Sequence, residues 1–350
     1  MVSKRDSWSI LVTLILLQAY GSLLIAARAQ VPTNRTLRLS GLVLHHYKVH
    51  NTCRYAEVFI KHLVTKAWNK DRSITPALLR LAYSDCMVTG CDASILLDGE
   101  GSEKEAPQNS GLRAFELIDG IKRVLEVYCP RAVSCADILQ LAARDAAGLA
   151  GAPKYPVFTG RRDGFRSNLK LVDLPSPSVT WDEALAYFRS RGLDVLDLGT
   201  LLGAHTMGKT RCHYIHDRLY NFNNTGRPDE SMDPSLVTEL KKTCTPGTAG
   251  SRTSNESTVY LNPTSGSNNS FQSSYFDHVL KNRGVLRIDQ QMITTMDGIR
   301  IANEFANGFE DFRRYFALGM ARLGSLGVLT GKEGEIRNSC RRTNSGKVLK

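Results

Sequence analysis

Apolar residues recur at three- and four-residue intervals along most of the chain, a period that predicts amphipathic helices. Three stripes show it most clearly: Ala56, Phe59, Ile60, Leu63 and Ala67; Leu117, Ile118, Ile121, Val124 and Leu125; and Phe305, Phe309, Phe312, Phe316, Met320 and Leu323. We interpret each stripe as a core-facing helix surface. Strand-like alternation is scarce, and residues 154–159 are the best short candidate. The pattern therefore predicts an all-α fold.

Local signals refine this organisation. Ser134 followed by Asp137 is typical of a helix start, and the helix is expected to run through Ala147. Residues 245–270 are rich in Ser, Thr, Asn and Gly, which predicts a long exposed loop. The chain exceeds the usual length of one compact unit, so we expect two helical lobes around a cleft. Ligand sites commonly lie between such lobes.

The N-terminus has the features of a secretory signal. Lys4 and Arg5 precede an apolar run from residue 10 to residue 25, and Ala27-Arg28-Ala29 follows as a cleavage pattern. A membrane anchor is the alternative, but the run is too short and wrongly flanked for a stable span. No later segment is long and apolar enough to cross a bilayer. We expect residues 1–29 to be removed and residues 30–350 to be secreted.

The positive net charge of the chain bears on which macromolecules it could bind. Removal of residues 1–29 takes away Lys4, Arg5, Arg28 and Asp6, so the formal net charge falls from +11 to about +9. A basic surface attracts polyanions. For an exported chain, an acidic polysaccharide matrix is a better candidate than nucleic acid. General solubility explains the same charge equally well.

The eight cysteines favour four disulfides in an exported chain. Composition alone cannot choose among the roughly 105 connectivities that eight cysteines allow. A zinc site is the alternative, but Cys86 and Cys91 lack a matching ligand pair.

Four Asn-x-Ser/Thr sequons predict exposed, glycosylated loops. Asn262 is excluded because Pro263 follows it. The sequons are at Asn34, Asn223, Asn255 and Asn268.

Several stretches together resemble one family, the secretory plant haem peroxidases of class III. They are LLRLAYSDCMVTGCDASILLD from Leu78, VSCADILQLAARDA from Val133, GRRDG from Gly160, DLPSP from Asp173, LLGAHTMG from Leu201, RGVLRIDQQM from Arg283 and GEIRNSC from Gly334. The resemblance extends over roughly residues 42–344. It implies a two-lobed helical haem-peroxidase fold, bound haem b, and a monomer that oxidises phenolic donors with hydrogen peroxide.

Haem iron needs an axial ligand, and imidazole is the usual one in peroxidases. Most of the eight histidines lie in polar or mixed surroundings, whereas His205 has small neighbours that would let a flat macrocycle approach the backbone. A lone buried histidine is more often an ordinary core residue. The resemblance assigns His205 as the axial ligand and Asp289 as the carboxylate behind it. From the residues alone, Asp289 could equally be a helix-start residue.

On the opposite, peroxide-binding side, the resemblance assigns Arg80 to stabilise the departing hydroxide. The family pattern R-L-H-F-H-D-C aligns with Arg80-Leu81-Ala82-Tyr83-Ser84-Asp85-Cys86, which places Ser84 at the catalytic histidine and Tyr83 at the phenylalanine. A serine hydroxyl is no base near neutral pH, so impaired activity is expected. The asparagine that orients the family's histidine aligns with Gln108, and Asn109 is the alternative.

The resemblance also implies two calcium sites. The ligands of the first are the side chains and backbone oxygens of Asp85, Val88, Gly90, Asp92 and Ser94, and oxygen-rich sets of this kind suit a hard cation. Glu103 would tie this site to the haem pocket. The second site keeps Thr206, but its two carboxylates are missing around residues 259–263 and at Gln272, so calcium is not expected there.

The resemblance also implies contacts that stabilise the fold and one residue that lines the donor site. Asp137 and Arg161 would form a buried ion pair, and Pro175 would line the site of the aromatic donor. The expected disulfides are Cys53–Cys129, Cys86–Cys91, Cys135–Cys340 and Cys212–Cys244.

Three functions are compatible with this pattern. The first is a secreted peroxidase whose activity is impaired by Ser84. The second is a non-catalytic, haem-binding or cell-wall-associated pseudoperoxidase. The third is a haem sensor that binds a small ligand beside Ser84 and Arg80.

Overall fold

The computed structural model describes residues 41–246 and 256–349. The expected signal at residues 1–29 and the sequons Asn34 and Asn255 lie outside these ranges. The α-helices of the described ranges are α1 (His46–Val49), α2 (Ala56–Lys70), α3 (Ile74–Cys86), α4 (Phe115–Tyr128), α5 (Cys135–Leu149), α6 (Trp181–Ser190), α7 (Val195–Leu202), α8 (His216–Tyr220), α9 (Pro234–Lys241), α10 (Ser274–Leu280), α11 (Arg287–Gln291), α12 (Met296–Asn307) and α13 (Phe309–Leu323). The predicted predominantly helical fold is confirmed.

Helix α5 is the centre of the first group of packed helices. It begins as predicted, because the Ser134 hydroxyl oxygen accepts a hydrogen bond from the Asp137 amide at 3.1 Å. It continues two residues beyond Ala147, to Leu149. Helices α2, α3 and α4 all pack against α5. This group carries the LLRLAYSDC stretch on α3.

Helices α7, α10, α12 and α13 form a second group. The third apolar stripe was predicted to be continuous, but it is divided between α12 and α13 because the backbone of Gly308 is not helical. Rings of Phe276, Phe305 and Phe312 pack edge to face or tilted, with centroids 4.9–5.7 Å apart. A Cβ atom on Gly203 would lie only 2.4 Å from the Phe312 ring, so glycine permits this close approach at the end of α7.

Two small antiparallel sheets complete the described fold. Strand β1 (Val43–Leu44) pairs with β2 (Phe158–Thr159), and β3 (Lys209–Arg211) pairs with β4 (Thr258–Tyr260). The strand expected over 154–159 is therefore limited to the two residues that face β1. Part of the segment expected to form an exposed loop over 245–270 is a strand, because Thr258–Tyr260 of β4 pairs with β3. Val259 and Asn262 are buried, whereas Asn268 is exposed.

The four disulfides are those that the resemblance implied, and the described residues contain no free cysteine. The Cys86–Cys91 bond excludes the zinc alternative for that pair. Cys135–Cys340 fastens the C-terminal segment to the start of α5. None of the helices in the described ranges is long and apolar enough to cross a membrane.

A buried ion pair joins distant parts of the chain. The Arg161 guanidinium lies 2.7 Å from the Asp137 carboxylate, and both side chains are almost completely buried. Asp137 also accepts hydrogen bonds from the Tyr47 hydroxyl and the Gly160 amide, each at 2.6 Å. Arg161 donates to the Gly324 carbonyl oxygen just after α13. One pair therefore connects α1, α5, the end of β2 and the end of α13.

Replacing Arg161 by Met should lower the free energy of unfolding by about 3–5 kcal/mol, because Asp137 would keep its buried charge without a cation. The exposed pair between Arg300 and Asp297, with a separation of 3.8 Å, provides the control. Arg300→Met should change stability by less than about 1 kcal/mol. Urea unfolding with the disulfides intact measures both. Equal effects of the two substitutions would contradict the assigned role of the pair.

Candidate functional site

His205 lies in a short 3-10 helix, Gly203–Thr206, directly after α7. Its Nδ1 atom is 2.7 Å from the Oδ1 atom of the fully buried Asp289 on α11. The Tyr275 hydroxyl donates to the same oxygen at 2.9 Å, and the Leu286 amide donates to Oδ2 at 3.3 Å. Burial and the Asp289 charge hold the pKa of Tyr275 well above its usual value, so it remains a donor. Asp289 thus fixes the imidazole of His205, whose side chain is still 28 % exposed.

The residues around Thr206 form a network of neutral groups. The Thr206 hydroxyl donates to the Gln272 carbonyl oxygen at 3.1 Å. The Asn262 amide donates to the hydroxyls of Ser265 and Ser274 at 2.9 and 3.0 Å. Hydroxyl and amide groups hold a divalent cation weakly compared with carboxylates. The described residues around Thr206 therefore offer hydroxyl and amide groups where the resemblance would require carboxylates.

Arg80 and Ser84 are four residues apart on α3 and therefore share one helix face. Arg80 Nη2 donates to the carbonyl oxygens of Gln108 and Ser110, both at 3.1 Å. Ser84 is only 2 % exposed, and its hydroxyl makes no hydrogen bond within the described ranges. This face of α3 therefore presents a fixed guanidinium and an uncommitted hydroxyl.

The buried amide beside this face belongs to Asn109 and not to Gln108. Asn109 is 3 % exposed and donates through Nδ2 to the Glu103 carbonyl oxygen at 2.8 Å, while its Oδ1 atom is buried without a partner. Gln108 instead reaches the Val172 carbonyl oxygen at 3.4 Å. The structure therefore favours Asn109, the alternative, over Gln108 as the buried amide of this segment.

A hydrogen bond connects the segment that carries Asn109 to α3. The carbonyl group of Gln108, one residue before Asn109, accepts from Arg80, which is one turn before Ser84 on that helix. Glu103, whose carbonyl accepts from Asn109, lies close enough to Asp85 on α3 for the two carboxylates to repel each other.

Asp85, Asp92 and Glu103 form a cluster of buried carboxylates. The Ala93 amide donates to Asp85 at 3.1 Å, and the Ser94 amide donates to Asp92 at 3.0 Å. Burial, followed by the charges of Asp92 and Glu103, raises the pKa of Asp85. Burial and the Asp92 charge raise the pKa of Glu103 to about 8. The Oε1 atom of Glu103 is buried without a hydrogen-bond partner.

This cluster has the chemistry that a hard cation requires, because buried carboxylates repel one another until a positive charge separates them. Within the described ranges, no three His, Cys, Asp or Glu side chains converge closely enough to bind a metal by themselves. A calcium site here would therefore combine the two aspartates with the Ser94 hydroxyl and the carbonyl oxygens of Val88 and Gly90.

Pro175 is half-buried in a loop anchored near the end of α3. In this loop Asp173 pairs with Arg191 at 2.7 Å. The Tyr187 hydroxyl joins loop and helix, because it contacts Asp173 at 3.2 Å and donates to the Met87 carbonyl oxygen at 2.7 Å. Tyr83, next to Ser84, is surrounded by protein, and this burial raises its pKa.

Sequence reasoning missed three residues that contact this set: Tyr275, Ser110 and Arg211. Tyr275 donates to Asp289, and Arg211 Nη1 donates to the Ser110 hydroxyl at 2.9 Å. No local sequence pattern predicts either contact, because the two residues of each pair belong to different segments of the chain.

Comparison with known proteins gives consistent matches. A family model described as Peroxidase matches residues 60–308. Probable peroxidase 61 of Arabidopsis thaliana is 60% identical over 304 residues, which cover 87% of this chain and 89% of that protein. Probable peroxidase 26 of the same plant is 57% identical over 303 residues, covering 87% and 90%. Peroxidase 5 of Vitis vinifera is 37% identical over 352 residues, covering 99% and 100%.

Asn109→Ala should lower the free energy of unfolding by about 1 kcal/mol, because the Glu103 carbonyl oxygen loses its buried side-chain donor and keeps only the Ala106 amide. Gln108→Ala removes only a long hydrogen bond and should have an effect below about 0.5 kcal/mol. Urea denaturation of the two variants gives the comparison. A larger loss for Gln108→Ala would show that Gln108 is the anchoring amide.

Proposed function

This chain belongs to the peroxidase family, and from that premise we propose that it is a secreted haem peroxidase in which Ser84 slows the reaction with hydrogen peroxide. The single observation that carries the proposal is the composition of the α3 face: Arg80 and Ser84 together, with the unpartnered amide oxygen of Asn109 nearby. This face has the arginine of the family pattern but has no side chain that can accept a proton near neutral pH.

The proximal residues fit haem b. His205 would hold the iron through the ring nitrogen that Asp289 does not engage, and the partial exposure of the ring supports this role. The bound haem would supply the redox-active iron that passes electrons from donor to peroxide. Asp289 would increase the electron density of the imidazole by accepting a hydrogen bond from its Nδ1–H group. Tyr275 shares the carboxylate and limits this effect.

None of the residues on the distal face can act as a base near neutral pH. The guanidinium of Arg80 stays protonated, so it can stabilise negative charge but cannot accept a proton. The Ser84 hydroxyl titrates far above neutrality, and the Asn109 amide does not titrate. General acid–base catalysis typically contributes about 10²–10⁴-fold, so we expect a loss of that size.

The proposal extends to substrate and location. Phenolic donors would approach beside Pro175, and residues 1–29 would direct export to the cell wall or its surroundings. The positive charge of the chain supports contact with acidic polysaccharide. Asn223 and Asn268 are exposed, which supports glycosylation of both. We expect a monomer that binds neither nucleic acid nor membrane.

We also propose calcium at the first site only, held by Asp85, Asp92, Ser94 and the backbone of Val88 and Gly90. The support is the buried carboxylate cluster and the unpartnered oxygen of Glu103. The neutral groups around Thr206 argue against a second ion.

Ser84→His should accelerate the reaction of the haem-loaded protein with hydrogen peroxide by roughly 10²–10⁴-fold. The Asn109 amide oxygen would accept the imidazole N–H and orient the ring. Stopped-flow absorbance of the haem measures the rate.

Three controls sharpen this test. Ser84→Ala should match the unmodified protein, because neither side chain is a base. Ser84→His combined with Asn109→Ala should lose much of the gain, whereas Ser84→His combined with Gln108→Ala should keep it. The proposal fails if the unmodified protein already reacts as fast as Ser84→His. A purified protein without haem absorption would favour a non-catalytic, cell-wall-associated protein.

Chelation of calcium should lower the melting temperature, by about 2–4 °C for each 1 kcal/mol of lost binding free energy. Added calcium should restore it. Asp85→Asn should be insensitive to both treatments, while Asp182→Asn, on the exposed start of α6, should respond like the unmodified protein. Scanning calorimetry gives the melting temperatures of the three proteins before chelation, after chelation and after calcium addition, and full chelator sensitivity of Asp85→Asn would exclude this ligand.

A further inference from the structure

Arg218, in the short helix α8, is a completely buried cation. Its Nε atom donates to the buried Asp229 carboxylate at 2.8 Å, and the Asp229 amide donates to the Arg218 carbonyl oxygen at 2.8 Å. The amide and the hydroxyl of Ser231 also donate to Asp229. A buried ion pair adds little net stability compared with apolar side chains of similar size. Stability alone is therefore a weak reason for a charged pair at this place.

The other donors of Arg218 reach the turn that precedes α11. Its Nη1 atom donates to the carbonyl oxygens of Gly284 and Val285, both at 2.8 Å. The amide of the next residue, Leu286, donates to Oδ2 of Asp289 at 3.3 Å. Arg218 therefore holds the turn from which one of the donors to Asp289 comes.

A single peptide unit connects the guanidinium of Arg218 to the carboxylate of Asp289. The Val285 carbonyl and the Leu286 amide belong to the same planar unit, and in the trans form they point in opposite directions. A cation at the carbonyl oxygen polarises the unit and makes its N–H group a stronger donor. The bond from Leu286 to Asp289 is longer than the usual range of about 2.7–3.2 Å. Its strength therefore depends on how Arg218 holds and polarises this peptide.

The charge of Arg218 also acts on Asp289 through space. Burial lowers the pKa of Arg218, while the Asp229 carboxylate and the charge of Asp289 raise it. This attraction is mutual, so the guanidinium stabilises the negative charge of Asp289. The Nη2 atom of Arg218 is buried and has no hydrogen-bond partner among the described residues. No acceptor at that nitrogen competes with Asp289 for the charge.

We propose that Arg218 is a positioning residue for Asp289, and that it limits how strongly this carboxylate accepts the hydrogen bond from His205. The peptide contact and the through-space attraction act in the same direction, because both stabilise negative charge on Asp289. The imidazole of His205 then gains less electron density from Asp289. The proposal rests on the proposed function only where it concerns iron, whose oxidised form would be favoured less.

A double substitution removes the cation without leaving an unpaired buried charge. It combines Arg218→Gln with Asp229→Asn. The matched control combines Arg161→Gln with Asp137→Asn. Arg161 also pairs with a buried aspartate and donates to two carbonyl oxygens, but these belong to segments remote in sequence from α11. The control therefore reproduces the loss of a buried pair and leaves the turn before Asp289 intact.

Proton NMR of the purified, disulfide-bonded protein reports on the hydrogen bond and does not require haem. The Nδ1–H signal of His205 should move downfield in the Arg218→Gln, Asp229→Asn variant, because Asp289 accepts more strongly. The Nδ1 atom of His213 lies 2.7 Å from Glu256, so its signal serves as an internal reference that should stay in place. The control variant should leave both signals unchanged.

The haem-loaded protein provides a second measurement. At a fixed applied potential, the double substitution at Arg218 and Asp229 should raise the ratio of ferric to ferrous protein about tenfold, which corresponds to about 59 mV for one electron. Spectroelectrochemical titration gives this ratio. Arg218→Lys should change it in the same direction but less, because lysine keeps the charge and lacks the planar fork. This single variant also decides the matter by NMR if the double variant does not fold.

Two results would overturn the proposal. One is an equal change of the His205 signal in the Arg218 and Arg161 variants, which would reflect general loosening of the fold. The other is a His205 signal that stays in place or moves upfield when Arg218 is replaced. A protein that carries no haem would contradict the proposed function, whereas the NMR comparison would still decide the role of Arg218.

Discussion

The hydrogen bond between His205 and Asp289 fixes the geometry on which the site depends. Asp289 is fully buried, and its carboxylate also accepts from Tyr275 and from the Leu286 amide. One carboxylate therefore joins the 3-10 helix after α7, helix α10 and helix α11. A buried charge of this kind is tolerated only when several donors surround it. Gly203, in the same 3-10 helix, packs closely against the Phe312 ring, which fixes how near this helix lies to α13.

Two groups of residues make up the candidate site. His205 and Asp289 form one group, and Arg80, Asn109 and the carboxylate cluster form the other. Under the proposed function, the departures from the family pattern are at Ser84 and in the neutral network around Thr206. Asn109 would then still be available to orient an imidazole at position 84, so that one position would account for the missing base.

Much of the fold could be predicted from the sequence, because apolar periodicity and capping residues are local signals. The start of α5 at Ser134 is an example. The break at Gly308 could not be found this way, since the apolar period continues across it. Strand β4 could not be predicted, because its neighbours in the sequence are polar. Its partner β3 is also distant in the chain. The resemblance supplied the disulfide pairing that composition left open.

Some residues of the candidate site could likewise be predicted from the sequence, and others could not. His205, Asp289 and Arg80 lie in recognisable stretches, and the contact between His205 and Asp289 could be expected. The choice between Gln108 and Asn109 depended on burial and on a hydrogen bond to Glu103, neither of which a sequence displays. Arg211 reaches Ser110 across about 100 residues of intervening chain, and such contacts are a property of the folded topology.

The disulfide between Cys135 and Cys340 has a consequence for how the protein is made. It spans 205 residues and joins the start of the central helix to the last structured segment. Because synthesis proceeds from the N-terminus, this bond can form only when nearly the whole chain has emerged from the ribosome. Until then Cys135 cannot reach its native partner, so the central helix forms without this bond. Final closure of the fold is consequently a late event in biogenesis, whatever the order in which the helices form.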